Sequence, residues 1–106
     1  MKFSEKVYDL CKKIPKGKIS TYYCIARALN TKAYRAVGQA LKNNKDPKNI
    51  PCFKIVKNNG EIGGYSGNNP ENISKKIKLL KKEGVEIKNN KILNLEKVLY
   101  KFRKDL

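Results

Sequence analysis

The apolar residues of this chain form no long run; they are dealt out in short stripes at helical spacing, broken by Gly, Pro and Asn. That distribution limits the chain to several short amphipathic elements around one modest core, the only arrangement in which each stripe is buried. It also excludes a membrane span, which needs about 20 consecutive apolar residues. With 106 residues there is material for one domain and one core.

The stripes place the elements. Phe3, Val7, Leu10, Cys11 and Ile14 predict a first helix, with Ser4 available as its cap and Pro15 and Gly17 as its stop. Thr21 is the expected N-cap of a second, carrying Ile25, Ala26 and Leu29 on one face before Asn30 and Thr31 interrupt it. A third starts near Lys32, with Ala33, Val37, Ala40 and Leu41 inward and Arg35, Gln39 and Lys42 outward. Two short helices joined by a tight turn, the second with a basic outer face, form a helix-turn-helix pattern. Asp46-Pro47 marks a loop leading into Ile50-Pro51-Cys52-Phe53-Lys54-Ile55-Val56. Asn58-Asn59-Gly60 supplies a hairpin turn, so that this segment and the return through Gly63-Gly64 form a wing. Residues 67–70 open a further helix with Ile73, Ile77 and Leu80 inward and lysines 75, 76, 78, 81 and 82 covering the rest. Asn89-Asn90 centres a second hairpin, and Leu95, Val98, Leu99 and Phe102 mark a last helix. The expected fold class is mainly α, a winged helix-turn-helix domain with short β-hairpins.

Charge narrows the partner. The 25 Lys and Arg against 9 Asp and Glu give a net charge of +16, which self-repels unless a polyanion is met. Nucleic acid is the expected partner, and a merely solvated basic surface is the alternative. Three cysteines, Cys11, Cys24 and Cys52, with no Cys-x-x-Cys pair and no His, point away from a disulfide scaffold and from structural zinc. The lack of His also removes the commonest general base.

In order and spacing, Ile14-Pro15-Lys16-Gly17-Lys18, Thr21-Tyr22, Arg35-Ala36-Val37-Gly38, Asn43-Asn44, Ile50-Pro51-Cys52, Gly63-Gly64-Tyr65-Ser66-Gly67, Leu79-Leu80 and Glu83-Gly84 resemble the DNA-binding, alkyl-accepting domain of the alkylguanine-DNA alkyltransferases. The match runs from about Val7 to Gly84, and the N-terminal domain of many members has no counterpart among the 106 residues, read as one domain. The resemblance implies binding of double-stranded DNA in the minor groove, extrusion of O6-alkylguanine, and irreversible transfer of the alkyl group to Cys52, once per molecule. It implies a stacking finger at Arg35, phosphate and groove contacts at Tyr22, Thr21, Gln39 and Lys42, and a guanine pocket of Tyr65, Ser66, Asn44 and the Ile55 carbonyl. Read without the family, Arg35 is equally a surface Arg on a phosphate, Tyr22 a core aromatic, and Cys52 a small buried hydrophobe. No cofactor, metal or membrane partner is implied, and the expected protein is a monomer of the cytoplasm, or of the nucleus in a eukaryote.

One departure falls at the centre of the chemistry. The family's run is Pro-Cys-His-Arg-Val, with the His held by a Glu matching Glu83; here it reads Pro-Cys-Phe-Lys-Ile, so Glu83 is retained and its imidazole partner is not. Lys54 and the positive field act to lower the thiol pKa, while burial beside Phe53 acts to raise it. Two activities stay open on these residues: a suicide methyltransferase with impaired or rewired activation, and an alkyltransferase-like sensor that binds the lesion without transfer. Relatives of the second kind commonly carry Trp in place of the cysteine. Charge and helix-turn-helix pattern alone allow a generic winged-helix or RNA-binding protein.

Overall fold

The computed structural model describes residues 2–63 and 70–102. Helix α1, Phe3–Lys13, buries Val7 and Cys11 and stops where Ile14 turns extended ahead of Pro15. Its N-cap is Lys2 rather than the expected Ser4, because the Glu5 carboxylate accepts from the Lys2 backbone N–H at 2.8 Å. Strand β1, Ser20–Thr21, runs into α2, Tyr22–Ala28, and Thr21 is the cap, its hydroxyl accepting from Cys24 N–H at 3.1 Å. Helix α3, Tyr34–Lys42, follows a short turn and buries Val37, Ala40 and Leu41. Ala33 lies before this helix, exposed, and not inward as its spacing suggested.

A single turn of 3-10 type over Cys52–Lys54 then leads into strand β2, Ile55–Val56. Strand β2 itself pairs in parallel with β1, Ser20 opposite Ile55 and Thr21 opposite Val56, a partner the expected hairpin did not include. The Asn58-Asn59-Gly60 turn does form and closes on itself, Gly60 N–H donating to the Lys57 carbonyl and Lys57 N–H to the Glu61 carbonyl, each at 2.9 Å. The chain beyond it also pairs with the next hairpin, Glu61 bridging to Lys91 and Ile62 N–H donating to the Asn90 carbonyl at 3.0 Å. That hairpin is β3, Ile87–Lys88, against β4, Lys91–Ile92, with Asn89 and Asn90 both at positive φ as a two-residue turn demands.

Between these lies α4, Pro70–Lys82, with Leu80 buried and Ile73 and Ile77 half-buried on its inner stripe. The last helix, α5, is shorter than its stripe implies, Leu95–Val98, because the following residues extend to pair with Ile19: Ile19 N–H donates to the Val98 carbonyl at 2.8 Å and Tyr100 N–H to the Ile19 carbonyl at 2.7 Å. The core has two clusters. One joins α1, α2 and α3 to Cys52 and Ile55; the other gathers Ile19, Phe53, Val56, Ile62, Leu80, Val85 and Ile92 under α4 and the hairpin. The 3-10 turn sits between them, so adjacent residues Cys52 and Phe53 face different clusters. The whole is mainly helical, a winged helix-turn-helix with small sheets. Among the described residues no helix is long and apolar enough to cross a membrane.

Candidate functional site

Cys52 is 6% exposed and opens the 3-10 turn, its own N–H donating to the Ile50 carbonyl at 2.8 Å. Asn44 braces that loop from the end of α3: its side-chain amide donates to the Ile50 carbonyl at 2.9 Å, and its Oδ1 accepts from Asp46 N–H at 2.9 Å. Burial pushes the Cys52 thiol up from its ordinary pKa, while a hydrogen bond from Asn44, the charge of Lys76 and the backbone pull it back. The balance leaves it raised. Tyr8 and Cys11 of α1 and Tyr22 of α2 belong to the same cluster and are each pushed up first by burial and then by Cys52, Cys11 to about 12.

The charge that reaches the thiol is therefore not the one its neighbour suggested. Lys54 is buried and turned away to other partners: its ammonium donates to the Ile14 and Pro15 carbonyls at 3.1 and 3.2 Å and pairs with Glu83 at 3.2 Å. Glu83 Oε1 also accepts from Gly17 N–H at 3.0 Å, and Gly17 takes φ +84°, a backbone region open to glycine at little cost. Glu83, Lys54 and Gly17 thus form one knot tying α4 to the end of α1. Phe53, in the position of the family's His, is buried in the second cluster with the Lys54 ammonium 6.0 Å from its ring centre.

Lys76 is the residue that sequence reasoning missed. It was placed on the solvated face of α4, yet it is 1% exposed and donates to the Ile55 and Ile62 carbonyls, each at 2.6 Å. A signal existed: Lys76 stands three residues after Ile73 and four before Leu80, inside the apolar stripe. The Ile55 carbonyl, expected to meet a guanine amino group, already accepts from Lys76, though a carbonyl has a second lone pair.

Of the expected surface residues, Arg35, Gln39 and Lys42 are exposed and recur at helical spacing along α3. Half-buried Tyr22 lines, with Tyr34 from the first turn of α3 and with Lys57, Asn58 and Asn59, an open cavity of about 390 Å³. Gly63, at φ +74°, passes so close that a Cβ there would stand 3.3 Å from Tyr22 Oη. Thr21 is 4% exposed and its hydroxyl is spent on the α2 cap, so it positions Tyr22 rather than offering a surface. Tyr65 and Ser66 lie outside the described residues. Among the described residues no group of three or more His, Cys, Asp or Glu could hold a metal.

Comparison with known proteins identifies this arrangement. The model of the 6-O-methylguanine DNA methyltransferase DNA-binding domain matches residues 2–85. A bifunctional methyltransferase/endonuclease of Picrophilus torridus is 42% identical over 87 residues, which are 81% of this chain and 28% of that protein. The methylated-DNA–protein-cysteine methyltransferase of Archaeoglobus fulgidus is 45% identical over 85 residues, 78% of this chain and 56% of that one. The chain thus spans only part of the length of these curated relatives. Among solved structures, S. pombe Atl1 in complex with damaged DNA containing O6-carboxymethylguanine superposes with a TM-score of 0.82 at 32% identity, covering 94% of this chain and 95% of that one. A family model that matches residues 2–85 of the 106, together with the Pro51-Cys52 turn braced by Asn44, shows that this chain belongs to the alkylguanine-DNA alkyltransferase family.

Proposed function

We propose that this domain is a DNA-repair protein that binds double-stranded DNA through α2 and α3, extrudes O6-alkylguanine and accepts the alkyl group on Cys52 Sγ. The observation that carries the reading is the Cys52 thiol itself, held on a tight turn whose loop Asn44 braces and packed in one cluster with Val37, Ala40 and Leu41, the inner side of the helix whose outer face bears Arg35, Gln39 and Lys42. Arg35, near the start of α3, is the residue that takes the vacated place in the stack, since a planar guanidinium both stacks and donates to the orphaned base. Tyr22 and the neighbouring cavity lie where the rotated nucleotide passes. Asn44 and the Ile55 backbone form the floor of the guanine pocket in this reading.

Transfer is an in-line displacement: the thiolate forms a thioether as the bond from carbon to O6 breaks, and the guanine leaves dealkylated. A protein alkylated in this way is consumed. Glu83 acts here as a positioning residue, since its carboxylate holds Lys54 and Gly17. A second reading, lesion binding without transfer, is favoured by Phe53 in place of the imidazole and by the likeness to Atl1.

Both readings require lesion-selective binding. The test is the affinity of the full chain for one duplex with and without a single O6-methylguanine, at several salt concentrations. Tighter binding of the lesion, with log K falling linearly in log salt, is expected. Equal affinity for the two duplexes contradicts both readings and leaves a generic nucleic-acid binder.

A further inference from the structure

Helix α2 has a second face that the alkyl-accepting site does not use. Its Tyr23, Cys24 and Arg27 line, with Asn58 of the turn after β2 and with Lys101 and Phe102, a cavity of about 620 Å³. Each wall is fixed by the fold. Asn58 Oδ1 accepts from Tyr23 N–H at 3.2 Å, which pins the turn to the start of α2. The chain beyond α5 is held to β1, where the Ser20 hydroxyl donates to the Tyr100 carbonyl at 3.0 Å, and the Tyr100 ring meets Phe102 edge-on with centres 5.2 Å apart. Residues 99–102 lie beyond the part of the chain that matches the family model, so that match gives this wall no role.

The lining selects a ligand by charge and by shape. Arg27 and Lys101 are exposed cations, and among the described residues no Asp or Glu lines the cavity, so it takes an anion. Exposed Tyr23 and half-buried Phe102 add aromatic rings, which suit a planar partner. The Arg27 guanidinium donates to the Tyr23 hydroxyl at 2.9 Å, and a guanidinium has further N–H groups to offer a phosphate. The volume lies within the roughly 300–1,000 Å³ of small-ligand sites. We propose that this cavity is a nucleotide site, taking an unpaired base on its aromatic residues and the attached phosphate on Arg27 and Lys101. A free nucleotide and an unpaired nucleotide of a DNA strand share that chemistry, and what adjoins the cavity points to the strand. Asn58 lines both this cavity and the one beside Tyr22, and Tyr23 stacks on Tyr34 of the second, ring centres 6.3 Å and planes 19° apart. A strand that passes Tyr22 continues over Asn58 and the stacked tyrosines into the cavity. Stacking accepts any base, so the site has no sequence preference.

Supply by a DNA strand rests on the DNA-binding reading; the nucleotide site does not, and deoxyadenosine monophosphate, which carries no lesion, tests it. The full chain is titrated with this nucleotide by 1H–15N NMR, with deoxyadenosine and inorganic phosphate as controls. The amide signals of Tyr23, Cys24, Arg27, Lys101 and Phe102 are expected to move together on one saturable curve, each control binding at least about fivefold more weakly. Phe102→Ala should weaken the nucleotide at least about fivefold and Lys101→Glu at least about threefold. Should Phe102→Ala fail to fold, exposed Lys101 decides alone. Inorganic phosphate binding as tightly as the nucleotide, shifts scattered over the surface, or an affinity unchanged in Lys101→Glu would overturn the proposal. A single-stranded hexamer of dA that moves the same amides with higher affinity assigns the strand; one that leaves them unmoved overturns the strand and leaves a free nucleotide. Nucleotide binding in a chain that does not prefer the alkylated duplex would remove the repair reading and leave this site standing. A lesion preference without nucleotide binding would do the reverse.

Discussion

At the scale of single residues, the chemistry turns on three lysine and carboxylate placements that composition hides. Buried Lys54 and half-buried Glu83 lie in one knot, and removing Lys54 leaves the Glu83 carboxylate without its counter-charge and the Ile14 and Pro15 carbonyls without their donor. Lys54→Met should cost about 3 kcal/mol of stability, measured by urea unfolding. Glu83→Gln should cost less, since the amide can still accept from Gly17 N–H, and it should leave the pH profile of Cys52 reactivity where it was. A shift of that profile in Glu83→Gln would restore Glu83 to a proton relay. Cys52 and Asn44 were legible as a pair because Pro-Cys and Asn-Asn occur at family spacing. Lys76 was not, because five lysines on one helix look alike until packing chooses which is buried.

At the scale of elements, the proposed function puts the DNA interface on α3, where two kinds of contact can be told apart. Arg35→Ala should weaken binding to the alkylated duplex by about 1–3 kcal/mol and lower its preference over plain duplex. Lys42→Ala should weaken both duplexes alike and reduce the salt slope by about 1, the mark of a phosphate contact. Equal losses of preference in the two variants would count against the finger. Gly38 gives a second check, since a Cβ there meets nothing within 4 Å. Gly38→Ala should stabilise the free helix by up to about 1 kcal/mol while impairing binding, as expected where a groove wall approaches the helix. Helices α1 to α4 follow from the apolar stripes, and the Asn89-Asn90 hairpin from its turn residues, because these are local signals. The pairing of β1 with β2 does not: it joins Ser20 to Ile55 across two helices, and two-residue strands carry too little pattern to announce a partner. The same pairing drew the end of the chain along Ile19 and cut α5 short.

At the scale of the whole molecule, +16 charges surround a core that contains one lysine and two thiols with displaced pKa values, and stability should record both. Between pH 7 and 10.5 the unfolded chain binds the Lys76 proton more than the folded one does, so that group adds stability as pH rises, by at most about 1.4 kcal/mol per pH unit. Cys11 acts oppositely, since its proton is held up to about pH 12 when folded but is lost near 9 when unfolded. Urea midpoints should therefore climb from pH 6.5 to about pH 9, level off where the two slopes oppose each other, and fall above about pH 10.5, and Lys76→Met should flatten the climb; an unchanged climb in that variant would place its origin elsewhere. In the proposed function the charge serves encounter with DNA, and Cys52 serves the chemistry once a base has been extruded. The central claim is that the two are joined in one act of repair. Intact-protein mass spectrometry after incubation with a duplex bearing one O6-methylguanine tests it most directly. A gain of one methyl group per chain, absent in Cys52→Ser, is the result expected; no gain in a protein that still prefers the alkylated duplex would contradict transfer and make this chain a lesion sensor.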